Sequence, residues 1–263
     1  MLLNFLKKNK HALFALYIPV YMHFFTWLEA RNDVSFQPIH CFIDDIIPFN
    51  ELFVIPYVLW FLYVLVVIVY LYFQKDHLED YYHCVITLIT GMTTCLLIYY
   101  FFPNEQNLRP EAFAHPNILT DIVQFIYDSD THTNVFPSIH VFNSMTLMLA
   151  YHRCRLFEEP RRRWMRPAAD VLCFSIVCST MLLKQHSCID VVLGLCLMIT
   201  FQAICNMLVS VCLFPVTGQT LPLVSLGGSS IVFTCLALGL ILGISRQVKE
   251  ESLDRPRKES LLE

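Results

Sequence analysis

The chain has 263 residues, of which 56% are hydrophobic and only 15% charged. A soluble globular domain carries about a quarter charged residues, so the composition excludes an ordinary soluble domain and points to a polytopic membrane protein. A net charge of -4 with no clustered basic face excludes a nucleic-acid partner. The 11 cysteines include no CxxC pair and stand mostly inside apolar runs, where Cys acts as a small hydrophobe. Neither a metal site nor a disulfide framework is expected.

A bilayer core takes about 20 apolar residues per helix. In chain order the expected spans are 11–28, 51–73, 83–102, 138–152, 169–185, 190–213 and 224–245. The opening stretch MLLNFLKKNKHALFALYIPVYMHFFTWLEA lacks a small-residue cleavage site and reads as a retained first span. The fourth run is short for a span, so its helix is expected to extend beyond 138–152. The fold class is therefore an all-α polytopic membrane helical bundle: a six-helix core with an additional C-terminal hydrophobic helix.

Lys and Arg in short loops orient such a bundle. The two strongest basic blocks, KKNK (7–10) and HRCRLFEEPRRRWMRP (152–167), fall on the same, cytoplasmic side if the N-terminus is inside. The connections 29–50, 103–137 and 186–190 then share the extracytoplasmic side.

The chain's ionisable punctuation lies on that side. NLRPEAF (107–113) follows the third span, NVFPSIHVFNS (134–144) opens the fourth, and STMLLKQHSCIDVVLG (179–194) joins the fifth to the sixth. Arg109, His140, His186 and Asp190 would converge there. Taken singly, each has a plainer explanation: a solvated Arg-Pro turn, an interfacial His, a His–Asp hydrogen bond along a helix. Together they suit phosphoryl transfer, in which developing charge wants cationic and N–H donors. His186 would be the nucleophile, with Asp190 holding its tautomer, and His140 would protonate the leaving alkoxide. Ser138 and His140 follow Pro137, which suits a first helical turn, so this helix N-terminus could present N–H groups to an anion. Lys184, two residues before His186, is the nearby cation for the phosphate, although Lys near a span end also snorkels to headgroups.

At these residues the sequence resembles the type 2 phosphatidic acid phosphatase (PAP2) superfamily, whose motifs run Lys-x6-Arg-Pro, Pro-Ser-Gly-His and Ser-Arg-x5-His-x3-Asp. NLRPE, FPSIH and STMLLKQHSCID match them in order over about residues 50–195. The resemblance implies a six-helix core and a phosphohistidine intermediate without a cofactor. It also implies His186 as nucleophile, Asp190 as its partner, His140 as acid, and Arg109 and Ser138 as phosphate ligands. Three motif positions depart: Phe102 stands for the Lys, Ile139 for the Gly and Thr180 for the Arg. Two phosphate cations are thereby missing, with Lys184 the only nearby replacement. Similar thinning marks the inositol-phosphotransferase and sphingomyelin-synthase branch.

From about residue 198, FQAICNMLVSVCLFPVTGQTLPLVSLGGSSIVFTCLALGLILGISR (201–246) resembles the last two spans of the SEDS family of FtsW-type peptidoglycan polymerases. The polymerase's catalytic Asp loop has no counterpart here, so no polymerase activity follows. The expected division is a PAP2-like core at 1–197, its sixth helix continuing to about 213, a SEDS-like membrane segment at 198–248 and a polar tail at 249–263. The two resemblances demand opposite orientations of the span between residues 190 and 213. The expected protein is an integral-membrane lipid phosphatase of the bacterial plasma membrane, acting extracytoplasmically on a lipid phosphate or lipid pyrophosphate. A lipid phosphotransferase, or an inactive interaction protein with cell-envelope partners through its tail, are the alternatives.

Overall fold

The computed structural model describes residues 14–74, 78–113 and 115–210. Eight α-helices follow in order: α1 (Tyr17–Glu29), the short α2 (Phe42–Ile46), α3 (Val54–Phe73), α4 (Leu78–Phe101), α5 (Ile118–Ser129), α6 (Ile139–Arg153), α7 (Met165–Leu182) and α8 (Cys188–Ser210). Two-residue strands β1 (Gln37–Pro38) and β2 (Asn104–Glu105) lie in the connections. The expected span 224–245 and the tail 249–263 lie outside the described residues.

The fold is an all-α membrane bundle. Among the described residues, three helices are long and apolar enough to cross a membrane: Glu51–Phe73, Leu78–Phe101 and Met165–Leu182. The 24 residues of α4 extend ~36 Å at ~1.5 Å per residue, enough for a hydrocarbon core of about 30 Å. On α3, Phe61, Leu62, Leu65, Val66 and Val69 face outward while Tyr57, Tyr63, Val67 and Leu71 are buried. An apolar surface so continuous suits lipid rather than water. Along α4 the hydroxyls of Thr87, Thr90, Thr93 and Thr94 each donate to the carbonyl four residues back, which satisfies them without solvent.

Helix α6 is the axis of the bundle. It packs against α3, α4 and α7, and eleven of its fifteen residues are buried. It passes the expected 138–152 by a single residue, at Arg153, and does not lengthen into a full span. Ser138 caps its start, and Cys154 turns to extended backbone at its end. Fifteen residues reach ~22 Å, short of a bilayer core, and this is tolerated because neighbouring helices, not lipid, surround it. Two glycines permit that enclosure. A Cβ on Gly91 of α4 would overlap the Phe142 ring, and one on Gly194 of α8 would lie 2.9 Å from the Ser138 carbonyl oxygen.

The connections expected to share one membrane face interlock at one end of the bundle. Strands β1 and β2 pair in parallel, joining segment 30–53 to segment 102–138. Arg31 donates to the carbonyls of Tyr99 and Tyr100 at 2.8 and 3.2 Å. The Tyr127 hydroxyl donates to the Leu183 carbonyl at 2.6 Å and Gln106 Nε2 to the Lys184 carbonyl at 3.1 Å. Helix α5, with the Asn117 side chain as its N-cap, lies within the connection expected at 103–137. These contacts build the floor of the site.

Candidate functional site

The turn after α7 places the central residues. The N–H of Lys184 donates to the Met181 carbonyl and that of Gln185 to the Thr180 carbonyl, both at 3.0 Å. This paired closure of a helix C-terminus requires a left-handed residue at its bend, usually Gly. Here Lys184 takes that conformation, with φ of 54°. The chain reverses at Lys184, and Gln185 and His186 both line a cavity of about 600 Å³.

His186 and Asp190 sit together as the spacing predicts. Nδ1 of His186 lies 3.4 Å from Asp190 Oδ2, and both side chains are buried. Asp190 Oδ2 also accepts the Ser187 N–H at 2.8 Å. With the proton on Nδ1, His186 keeps the lone pair of Nε2 for chemistry. His140, from the first turn of α6, meets His186 edge to face with ring centroids 5.6 Å apart. Its Nε2 lies 3.2 Å from the Tyr57 hydroxyl, and its ring packs on Tyr57 and Trp60 with centroids 4.9 and 4.2 Å away. The two imidazoles share one cavity wall.

The three expected phosphate ligands are placed differently. Arg109 spends its terminal nitrogens on the carbonyls of Tyr127, Asp130 and Thr131 and on Gln185 Oε1, at 2.7–3.0 Å, and its guanidinium lies 4.7 Å from the Tyr127 ring centroid. Burial holds its pKa below the usual guanidinium value, with Asp130 opposing. Ser138 is fully buried. Its Oγ accepts the Val141 N–H, and its own N–H donates to the Asp190 carbonyl at 3.1 Å. Lys184 points its ammonium at the carbonyls of Asp44 and Ile47, 2.6 and 2.5 Å away, and does not line the cavity. The expectation that it curls over the same phosphate as His186 is not met, because the left-handed turn sends successive side chains to different neighbours.

Several residues here were not singled out from sequence. Asp44 is buried and accepts from the Cys41 N–H, the Ser187 hydroxyl and the Cys188 N–H at 2.6–2.8 Å. It fixes the loop between His186 and α8, and the signal available was an acidic doublet, Asp44–Asp45, in an apolar stretch. Asn104, also buried, accepts the N–H groups of Val135 and Phe136 at 2.8 Å and so shapes the entry to α6. Asp130 and Glu29 line the cavity. Burial raises both carboxyl pKa values, against the pull of His186 and Arg109 on Asp130 and of a Thr131 hydrogen bond on Glu29. Among the described residues no group of three His, Cys, Asp or Glu side chains could hold a metal ion.

Comparison with known proteins agrees with two resemblances of unequal reach. A cell cycle protein family (FtsW, RodA, SpoVE) matches residues 171–250, beginning earlier than the expected boundary near 198. Curated relatives match this part. The probable peptidoglycan glycosyltransferase FtsW of Thioalkalivibrio sulfidiphilus is 46% identical over 57 residues, covering 22% of this chain and 14% of that protein. Its counterpart in Marinobacter nauticus is 47% identical over 64 residues, covering 24% and 15%. The chain thus spans only about one seventh of the length of these relatives. No solved structure matches the chain significantly. The PAP2 superfamily matches residues 23–204, more than two thirds of the chain, a stretch that includes His140, His186 and Asp190. By that coverage, the chain is an integral membrane member of the PAP2 superfamily.

Proposed function

We propose that the protein is a membrane phosphoesterase acting on a lipid phosphate through a phosphohistidine at His186. The observation that carries this reading is the pair of imidazoles on one cavity wall, one of them backed by a buried carboxylate. His186 Nε2 attacks phosphorus while Asp190 supports the imidazolium that forms. His140 passes a proton to the leaving alkoxide, then takes one from the water that hydrolyses the N–P bond. Arg109 and Ser138 act mainly by position: Arg109 holds Gln185 against the 127–131 segment, and Ser138 ties α6 to Asp190. The cavity is largely apolar, with Phe25, Phe61, Ile122 and Phe125 on its walls, and this suits an acyl chain.

The site belongs, in this reading, to the extracytoplasmic face of a bacterial plasma membrane. The interlocked connections lie opposite the basic blocks 7–10 and 152–167 in the chain's alternation of spans, and the curated relatives of the tail are bacterial. A second role, in the cell envelope, is favoured by the cell cycle protein match over 171–250. The test is trapping. Full-length protein incubated with a ³²P-labelled lipid phosphate and quenched in alkali should carry acid-labile label. His186→Ala should carry none, and Asp190→Asn should lose several orders of magnitude of turnover, as with other His-orienting carboxylates. A labelled, active His186→Ala variant would overturn the assignment.

A further inference from the structure

The described cysteines divide by place. Most lie within α4, α7 and α8 or at the end of α6. Cys41 and Cys188 instead meet at the end of the bundle that holds the two histidines. Cys41 precedes α2, and Cys188 is the first residue of α8, two positions after His186 and two before Asp190. Both are buried. They are far apart along the chain, so sequence spacing does not pair them.

One carboxylate brings the two together. Asp44 Oδ2 accepts the Cys41 N–H at 2.8 Å while its Oδ1 accepts the Cys188 N–H at 2.7 Å, so a single side chain holds both backbones side by side. The Ser187 hydroxyl adds a third bond to Asp44, at 2.6 Å. A disulfide needs Cα atoms about 4.4–6.8 Å apart, a separation that two N–H groups on one carboxylate permit. The thiols are direct neighbours: a hydrogen bond with the Cys188 thiol lowers the Cys41 pKa, against the effect of burial. A lowered pKa favours the thiolate, which is the form that attacks disulfides. Cys41 is also the more reachable of the two, because His40 and Phe42 on either side of it are exposed. Neither sulfur has a task in the phosphoryl transfer.

We propose that Cys41 and Cys188 form a disulfide that clamps the His186 turn to segment 30–53. The proposal rests on the reading of this end of the bundle as extracytoplasmic, where disulfides form and persist, and it does not require a phosphohistidine. An organic disulfide is the oxidant. The Cys41 thiolate attacks one of its sulfurs, forming a mixed disulfide and expelling a thiolate. The Cys188 thiolate then attacks the Cys41 sulfur and expels the second. The protons lost by the two cysteines pass to the two expelled thiolates, so the pair is oxidised and the reagent is reduced to two thiols. The new bond adds a covalent tie across the junction that Asp44 already holds. It closes a long loop, the case in which a crosslink most restricts the unfolded chain. Because Cys188 stands between His186 and Asp190, the tie also limits how far nucleophile and carboxylate drift apart.

The test treats membranes containing full-length protein with oxidised glutathione, blocks remaining thiols with N-ethylmaleimide in denaturant, and analyses the peptides by mass spectrometry. A linked pair of peptides containing Cys41 and Cys188 is expected, with neither residue alkylated until a reductant is added. Cys41→Ser should leave Cys188 open to maleimide. Reduction should lower the wild-type unfolding midpoint by roughly 5 °C or more and raise hydrogen exchange at 186–190 about tenfold. Neither should respond to reductant in the Cys41→Ser/Cys188→Ser protein. If that double variant does not fold, the linked peptides and the wild-type response decide. Two unlinked thiols after oxidation, a link to a different cysteine, or a link whose reduction changes neither midpoint nor exchange would overturn the proposal. An Asp33→Cys variant tests the placement separately, since Asp33 is exposed. Its labelling by a membrane-impermeant maleimide in intact cells, with 41 and 188 still thiols, keeps the placement and sinks the disulfide. Its labelling only in broken cells, with the 41–188 link formed by glutathione, sinks the placement and keeps the pair.

Discussion

Lys184 offers a sharp test because two of its properties oppose each other. Its ammonium holds the carbonyls of Asp44 and Ile47, while its backbone sits at φ 54°, where a side chain costs about 1–2 kcal/mol relative to Gly. Hydrogen bonds from a charged donor contribute about 1.5–3 kcal/mol each. Two from one half-buried ammonium, partly shared with water, place Lys184→Met about 2–4 kcal/mol below wild type. Lys184→Gly loses the same bonds but is relieved of the left-handed penalty, and gives part of that gain back through the greater freedom of Gly when unfolded. It should therefore be more stable than Lys184→Met by about 1 kcal/mol. Thermal unfolding in detergent reads this, at roughly 2–4 °C per kcal/mol for a chain of this size. Turnover per folded molecule should fall far less than the ~100-fold expected on losing a preorganised phosphate donor. A Lys184→Met protein as stable as wild type but at least 100-fold slower would refute this and return Lys184 to the phosphate.

Asp44→Ala strips three buried donors of their acceptor and should cost about 3–5 kcal/mol. It should also raise hydrogen exchange at Ser187 and Cys188 first, and a stable variant with unchanged exchange there would remove Asp44 from the site. Asp130 sets a pH dependence. Burial raises its carboxyl pKa, so above the ordinary carboxylate pKa the native state keeps a proton that the unfolded chain has lost. Stability on this account falls as pH rises through the raised value. Asp130→Asn should remove that fall, and a variant with the same pH slope as wild type would show that another group carries it.

Much of this protein is written along the chain. Hydrophobic run length placed α3, α4 and α7 within a few residues, because a bilayer demands a local property, about 20 apolar residues in succession. His186 and Asp190 could also be paired from their spacing, although His186 stands in the turn before α8 and Asp190 in that helix's first turn. The closeness of His140 to His186 was anticipated through the motif order and the alternation of spans. What sequence could not yield is where the cations end up. One dihedral at Lys184 decides whether its ammonium faces the phosphate or the 44–47 carbonyls, and nothing in MLLKQH (181–186) encodes that sign locally. Arg109 is drawn to carbonyls from the end of α5 and the strand of chain after it, an arrangement that exists only once that helix has docked. The same holds for α6, whose shortness reads as a missing turn of a span but follows from burial by its neighbours on all sides. Local chemistry thus specifies which groups are present and which helices carry them. The pairing of each buried polar group with its partner is settled by packing, because every donor and acceptor removed from water must find whichever counterpart the closed bundle brings within reach.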